Sequence, residues 1–226
     1  MADTAQLGSI SEPHVGVEDD TAGIHAGHHT NTGISNEKLG MWLFLGSECL
    51  LFGGLISTYL LYKNRPGIVI LKVAAKGAAV GSPIRISKLF DIPFTSVSSF
   101  VLLASSLTMV FAVLAASRDQ TDKLRLWLGT TALLGAVFIG GQVYEFTSFV
   151  KEGLGFTSNV SSSAFFTLTG FHGVHVTLGI VMLLSCIALT FRARKPSAEA
   201  IEIVGLYWHF VDVIWILIFT VVYLIK

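Results

Sequence analysis

Charge is scarce in this chain: Asp, Glu, Lys and Arg together make up 13% of its 226 residues, about half the share found in an ordinary water-soluble domain. A fold with water on every side is therefore not expected. No sign of charge dominates either, because fifteen basic residues balance fifteen acidic ones, and no net field draws the chain to nucleic acid or another polyanion. Cysteine is nearly absent. Cys49 and Cys186 are the two, both inside long apolar runs, so no disulfide framework is expected.

What the chain does have is apolar length. Apolar residues make up 52% of it and the mean hydropathy is +0.68. A bilayer core of about 30 Å is crossed by roughly 20 apolar residues at 1.5 Å rise each. Five runs meet that requirement, at 39–62, 97–116, 124–150, 165–191 and 203–225. They are too long for barrel strands and do not alternate apolar with polar residues. The expected fold is all-α, an integral membrane bundle of five transmembrane helices in a domain covering 38–226.

Residues 1–37 read as a polar, disordered tail. They are acidic and rich in Gly, Thr and His, with no early apolar core of the kind a secretory signal carries. Its histidines, His14, His25, His28 and His29, are of a type that binds borderline metals weakly but is most often simply solvated. Residues 63–94 form an excursion that starts with a turn at Asn64, Arg65, Pro66 and Gly67 and closes at Asp91, Ile92 and Pro93, a suitable helix start. Small residues, Ala136 with Gly140 and Gly46 with Gly53, suit close helix approach. Trp42, Tyr62, Trp127, Trp208 and Tyr223 lie near run ends, as interfacial anchors do.

Orientation follows from the short loops. Arg118, Lys123 and Arg125 join the second and third runs, and Arg192, Arg194 and Lys195 join the fourth and fifth, against Lys151 alone between the third and fourth. The positive-inside rule then puts the N-terminus in the cytoplasm and the C-terminus outside. The excursion opposes this with its six Lys and Arg residues.

Ionisable groups at bilayer depth cost about 2.5 to 3.5 kcal/mol each on insertion scales, so each needs a reason. There are six: Glu48, Glu145, His172, His175, His209 and Asp212, with the amide of Gln142 one turn before Glu145. His172 and His175, Gln142 and Glu145, and His209 and Asp212 are each three apart and share a helix face. Three polar faces are expected to meet inside the bundle. They either fix packing through interhelical hydrogen bonds, Asp212 and His209 pairing within one turn, or hold a metal or haem. Glu48 has no basic residue on its own helix at its depth. It requires a partner on a neighbouring helix, or a proton-linked role.

Five blocks of sequence carry a resemblance: Lys38 to Gly54 (KLGMWLFLGSECLLFGG), Asp91 to Leu107 (DIPFTSVSSFVLLASSL), Gly135 to Phe146 (GAVFIGGQVYEF), Phe165 to Gly179 (FFTLTGFHGVHVTLG) and Tyr207 to Trp215 (YWHFVDVIW). In this order, one on every run, they resemble subunit III of the haem-copper terminal oxidases, the cytochrome c and quinol oxidase group. The chain is similar to the short bacterial form that lacks the first two of seven helices.

The resemblance implies a non-redox accessory subunit of an aerobic oxidase in the bacterial plasma membrane. Its expected partners are the catalytic subunit I, subunit II and phospholipid. Haem and copper belong to the partner subunits, with no cofactor or metal on this chain. Its implied work is to stabilise the catalytic subunit, bind lipid and support proton uptake. The resemblance also favours a polar network over ligation for Glu48, Gln142, Glu145, His172, His175, His209 and Asp212, with no catalytic residue among them. The rivals are an accessory subunit of a nitric oxide reductase or quinol oxidase, a free-standing haem or metal oxidoreductase, and a proton-coupled carrier. The sequence shows none of a carrier's inverted repeats.

Overall fold

The computed structural model describes residues 35–63, 92–151, 156, 160–192 and 196–224. The tail at 1–34, the excursion at 64–91, and Arg194 with Lys195 lie outside the described residues. Five helices fill the described chain: α1 Asn36–Lys63, α2 Ile92–Ser117, α3 Thr121–Lys151, α4 Val160–Phe191 and α5 Ala198–Phe219, which runs on as a π-helical turn, Thr220–Leu224. Each of the five is long and apolar enough to cross a membrane. The fold is an all-α integral membrane bundle.

Every helix starts about one turn ahead of its apolar run, and in α1, α3 and α5 that extra turn is acidic. Glu37, Asp122 and Glu199 lie in the first turns of α1, α3 and α5, and Lys63 and Lys151 in the last turns of α1 and α3. That arrangement complements the helix dipole at both ends. Ser197 caps α5, its side chain accepting from the backbone N–H of Ala200 at 3.1 Å, as an N-cap serine does. Between α2 and α3, Asp119 takes φ 54°, a left-handed conformation that Asp tolerates better than most side chains. The N–H groups of Asp119 and Gln120 return to the carbonyls of Ala116 and Ala115, closing α2 in the manner of a Schellman cap.

Helices α2 and α3 pack most extensively, α3 continues onto α4, α5 lies against α2 and α4, and α1 lies against α4 and α5. Contacts at the helix ends set the polarity of the bundle. Lys38 Nζ reaches Glu202 Oε2 at 2.6 Å, joining the starts of α1 and α5. Lys63 Nζ donates to the Val221 carbonyl at 2.8 Å, joining their ends. Arg125, near the start of α3, donates to the hydroxyl and carbonyl of Thr190 at the end of α4 and lies over the Phe191 ring. One end of the bundle thus gathers Lys38, Arg118, Lys123, Arg125 and Arg192.

Close helix approach occurs at other glycines than the sequence suggested. Ala136, Gly140, Gly46 and Gly53 face outward, and a Cβ built on any of these three glycines meets nothing within 4 Å. The tight places are Gly135 on α3 and Gly179 on α4, where a Cβ would come within 2.6 and 2.8 Å of the Trp208 ring. Trp208 itself is 0% exposed, and its indole N–H donates to Ser105 Oγ at 3.0 Å. The expectation of Trp208 as an interfacial anchor is therefore corrected. Because α5 begins at Ala198, Trp208 falls at mid-helix and plugs the centre of the bundle. Tyr223 is corrected likewise, since the π turn buries it. Trp42 is exposed, and Trp127 packs on Phe111 with ring centroids 4.9 Å apart.

Candidate functional site

The seven polar residues singled out by their depth do not form one centre. Glu48 is met from α4: its Oε2 lies 3.1 Å from His175 Nε2. The other ring nitrogen, Nδ1, lies 2.8 Å from the Phe171 carbonyl, which can only accept, so Nδ1 carries a proton. One further proton then lies between Nε2 and the carboxyl, as imidazolium with carboxylate or imidazole with neutral acid. Either way the pair holds no net charge in the membrane, the cheapest form for two ionisable groups there. The side chains of His175 and Glu48 are 10% and 16% exposed. Phe52 closes on the histidine edge-to-face at 5.1 Å, and Tyr207 donates its hydroxyl to the His175 carbonyl at 3.0 Å.

Glu145 sits at the far end of α3. Thr95 of α2 donates to its Oε1 at 2.8 Å and Tyr223 of the π turn at 3.1 Å, so one carboxyl oxygen ties three helices together. A π turn adds a residue to the helical circuit and re-aims the side chains beyond it, which is how both Val222 and Tyr223 come to be buried. Gln142, one turn earlier, turns to α4 instead and donates Nε2 to the Thr169 carbonyl at 2.8 Å.

His172 and His175 share a face of α4 but not a fate. His172 stacks on Trp215, ring centroids 4.9 Å apart, with Phe138 edge-on at 6.0 Å. His209 and Asp212 do not form the pair expected of them: His209 Nδ1 lies 2.7 Å from Ser106 Oγ on α2, and neither carboxyl oxygen of Asp212 has a hydrogen-bond partner among the described residues. A helical offset of three leaves side chains splayed enough for neighbouring helices to claim them separately. The three histidines end in three surroundings. Among the described residues no group of three or more His, Cys, Asp and Glu side chains converges as metal ligands would.

Helix α2 is the part of the network that sequence reasoning misses. Its hydroxyls line the seam against α3 and α5: Thr95 on Glu145, Ser99 on the indole N–H of Trp215 at 2.9 Å, Ser105 on that of Trp208, Ser106 on His209, and Thr108 on Thr131 at 2.7 Å. The available signal is the recurrence of small hydroxyls along one apolar helix. Such residues pass for filler because each can satisfy its own hydroxyl on the preceding turn.

Comparison with known proteins gives a match over the same bundle. The family model for cytochrome c oxidase subunit III matches residues 17–226. A cytochrome c oxidase subunit 3 of Bacillus sp. (strain PS3) is 41% identical over 194 residues, 84% of this chain and 86% of the relative. The protein of that name in Bacillus subtilis (strain 168) is 39% identical over 84% of this chain and 86% of the relative. A probable quinol oxidase subunit 3 of Staphylococcus saprophyticus is 39% identical over 83% of this chain and 88% of its own length.

Proposed function

The chain belongs to the cytochrome c oxidase subunit III family, and from that premise we propose that it serves beside the catalytic subunit I and subunit II of a haem-copper oxidase without redox chemistry of its own. Haem and copper are carried by those partners. Its contributions are to brace the catalytic subunit in the bilayer, to hold phospholipid against its apolar faces, and to keep proton uptake from the inner side fast. The end of the bundle that gathers Lys38, Arg118, Lys123, Arg125 and Arg192 faces the cytoplasm, since the rule counts Lys and Arg and not net charge. The N-terminus is then inside and the C-terminus outside a bacterial plasma membrane. Cytochrome c is the donor of the whole complex, following the Bacillus relatives' names.

One observation supports the proton-linked part. Glu48 Oε2 and His175 Nε2 lie within hydrogen-bond distance between helices α1 and α4, at a place only part-buried, and a carboxyl hydrogen-bonded to an imidazole is a pair through which a proton can pass. Gln142, Glu145, His172, His209 and Asp212 serve as packing groups within the network, and none of the seven is a catalytic or metal-binding residue.

Removing the chain from the purified oxidase is the test. Haem spectra of the core are expected to stay intact while turnover declines or the enzyme inactivates sooner. Loss of the haem or copper centres with the chain would overturn the accessory role. Oxidation of a quinol rather than cytochrome c by the intact complex would overturn the donor assignment and leave the rest standing.

A further inference from the structure

Three side chains in the middle of the bundle combine deep burial with polar atoms that nothing in the described chain satisfies. His172 is 0% exposed, Asp212 3% and Gln142 7%. Both ring nitrogens of His172, both carboxyl oxygens of Asp212 and the amide oxygen of Gln142 lack a hydrogen-bond partner among the described residues. Elsewhere in the bundle the buried polar groups are mostly paired, as Glu145 and Trp208 are. Such pairing is the rule for groups out of reach of solvent.

The three come from α3, α4 and α5: Gln142 and His172 from facing stretches of α3 and α4, and Asp212 from the turn of α5 before Trp215, on which His172 stacks. Gln142 donates to the Thr169 carbonyl, one turn before His172. Its unpaired oxygen lies against Gly173, the residue after His172, where a built Cβ would approach it to 3.1 Å. His172 stacks on Trp215, and Trp215 follows Asp212 by one turn of α5. His209, on the same face as Asp212, gives it no relief, being turned to Ser106. Ser106 lies beside the Asp212 carboxyl; its hydroxyl, 2.7 Å from His209 Nδ1, has a single proton to give and can relieve at most one of the carboxyl's acceptor sites, and only when His209 is the donor.

The chemistry of the unpaired atoms selects the occupant. An amide carbonyl only accepts, a carboxyl group brings more acceptor sites than donors in either protonation state, and a neutral imidazole brings one N–H and one lone pair. Acceptors outnumber donors, so no pairing among the three satisfies them all. An anion would add to the surplus. The described residues do not gather the three ligands a metal ion would use. A small neutral molecule with two donors and two acceptor sites balances the set, and water at a buried polar site characteristically makes about three hydrogen bonds.

We propose that Gln142, His172 and Asp212 line an internal hydration site between α3, α4 and α5, in which water donates to the Asp212 and Gln142 oxygens and accepts from the His172 ring. The site is separate from the Glu48–His175 pair. It stands whether or not that pair exchanges protons.

The test is a water-resolving map of the purified oxidase complex containing this chain, unsubstituted and as Asp212→Asn and Asp212→Leu. Expected are discrete densities at hydrogen-bonding distance from Asp212 and from His172 or Gln142, kept in Asp212→Asn and lost in Asp212→Leu. A dry centre in the unsubstituted complex, with the Asp212 carboxyl directly on the His172 ring or on Ser106, overturns the proposal, as does density that persists unchanged in Asp212→Leu. Should Asp212→Leu fail to assemble, the unsubstituted map alone decides between the wet and the dry centre.

Discussion

Adding a single methyl at Gly135 or Gly179 should loosen this bundle, although Gly→Ala ordinarily strengthens a helix by up to about 1 kcal/mol. At Gly135 the new Cβ would lie 2.6 Å from Trp208 Cη2 and 3.3 Å from Ile180 Cγ1, and at Gly179 it would lie 2.8 Å from two further Trp208 ring atoms. The indole cannot swing aside, because it is fully buried and its N–H is held by Ser105. Overpacking of a closed core costs about 1 to 3 kcal/mol, and displacing the indole from Ser105 adds about 1 kcal/mol. Set against the helix-propensity gain, the net loss for Gly135→Ala is on the order of 1 to 3 kcal/mol. The assay is the temperature at which the chain leaves the purified complex. Gly129→Ala and Gly170→Ala are the controls, since a Cβ at either meets nothing within 4 Å. Combining Gly135→Ala with Trp208→Phe, which removes the clashing ring edge, should cost less than the sum of the two single changes. Equal dissociation temperatures for Gly135→Ala and Gly129→Ala, or strict additivity in the double variant, would refute the wedge.

Glu48→Gln keeps a hydrogen bond to His175 Nε2 through the amide N–H and should hold α1 in place, whereas Glu48→Leu leaves the ring nitrogen unpaired and should cost about 1 to 3 kcal/mol; dissociation temperature separates the two. Tyr223→Phe removes one of the two hydroxyls on Glu145 Oε1 and should cost about 1 kcal/mol. Thr95→Val should match it, and the double variant should exceed their sum, read by the same melt. Exchanging the charges of the α1–α5 ion pair, Lys38→Glu together with Glu202→Lys, should leave stability unchanged at high salt, because both side chains are substantially exposed and such pairs are screened; a large loss there would mean the pair is shielded in the complex.

The five spans were legible because nothing but a bilayer makes use of five almost uncharged runs of that length, and the polar residues inside them were legible for the same reason: each is costly enough to stand out. Their partners were not. Sequence offsets give the faces of single helices, so His209 with Asp212, and His172 with His175, looked like natural pairs; which neighbouring helix claims each side chain depends on crossing geometry that no offset encodes. The same gap hid α2, whose serines and threonines are individually ordinary in a membrane helix. They matter because the bulky polar groups of α5, the indoles of Trp208 and Trp215 and the ring of His209, each need one small hydroxyl opposite. In lipid there is no hydrophobic force to press helices together, so association rests on close packing and on such hydrogen bonds. A motif rich in aromatic N–H groups on one helix is then a reason to search the other helices for a matching row of hydroxyls, and that complementarity, rather than the conspicuous histidines alone, is what fixes the register of α2 against α5.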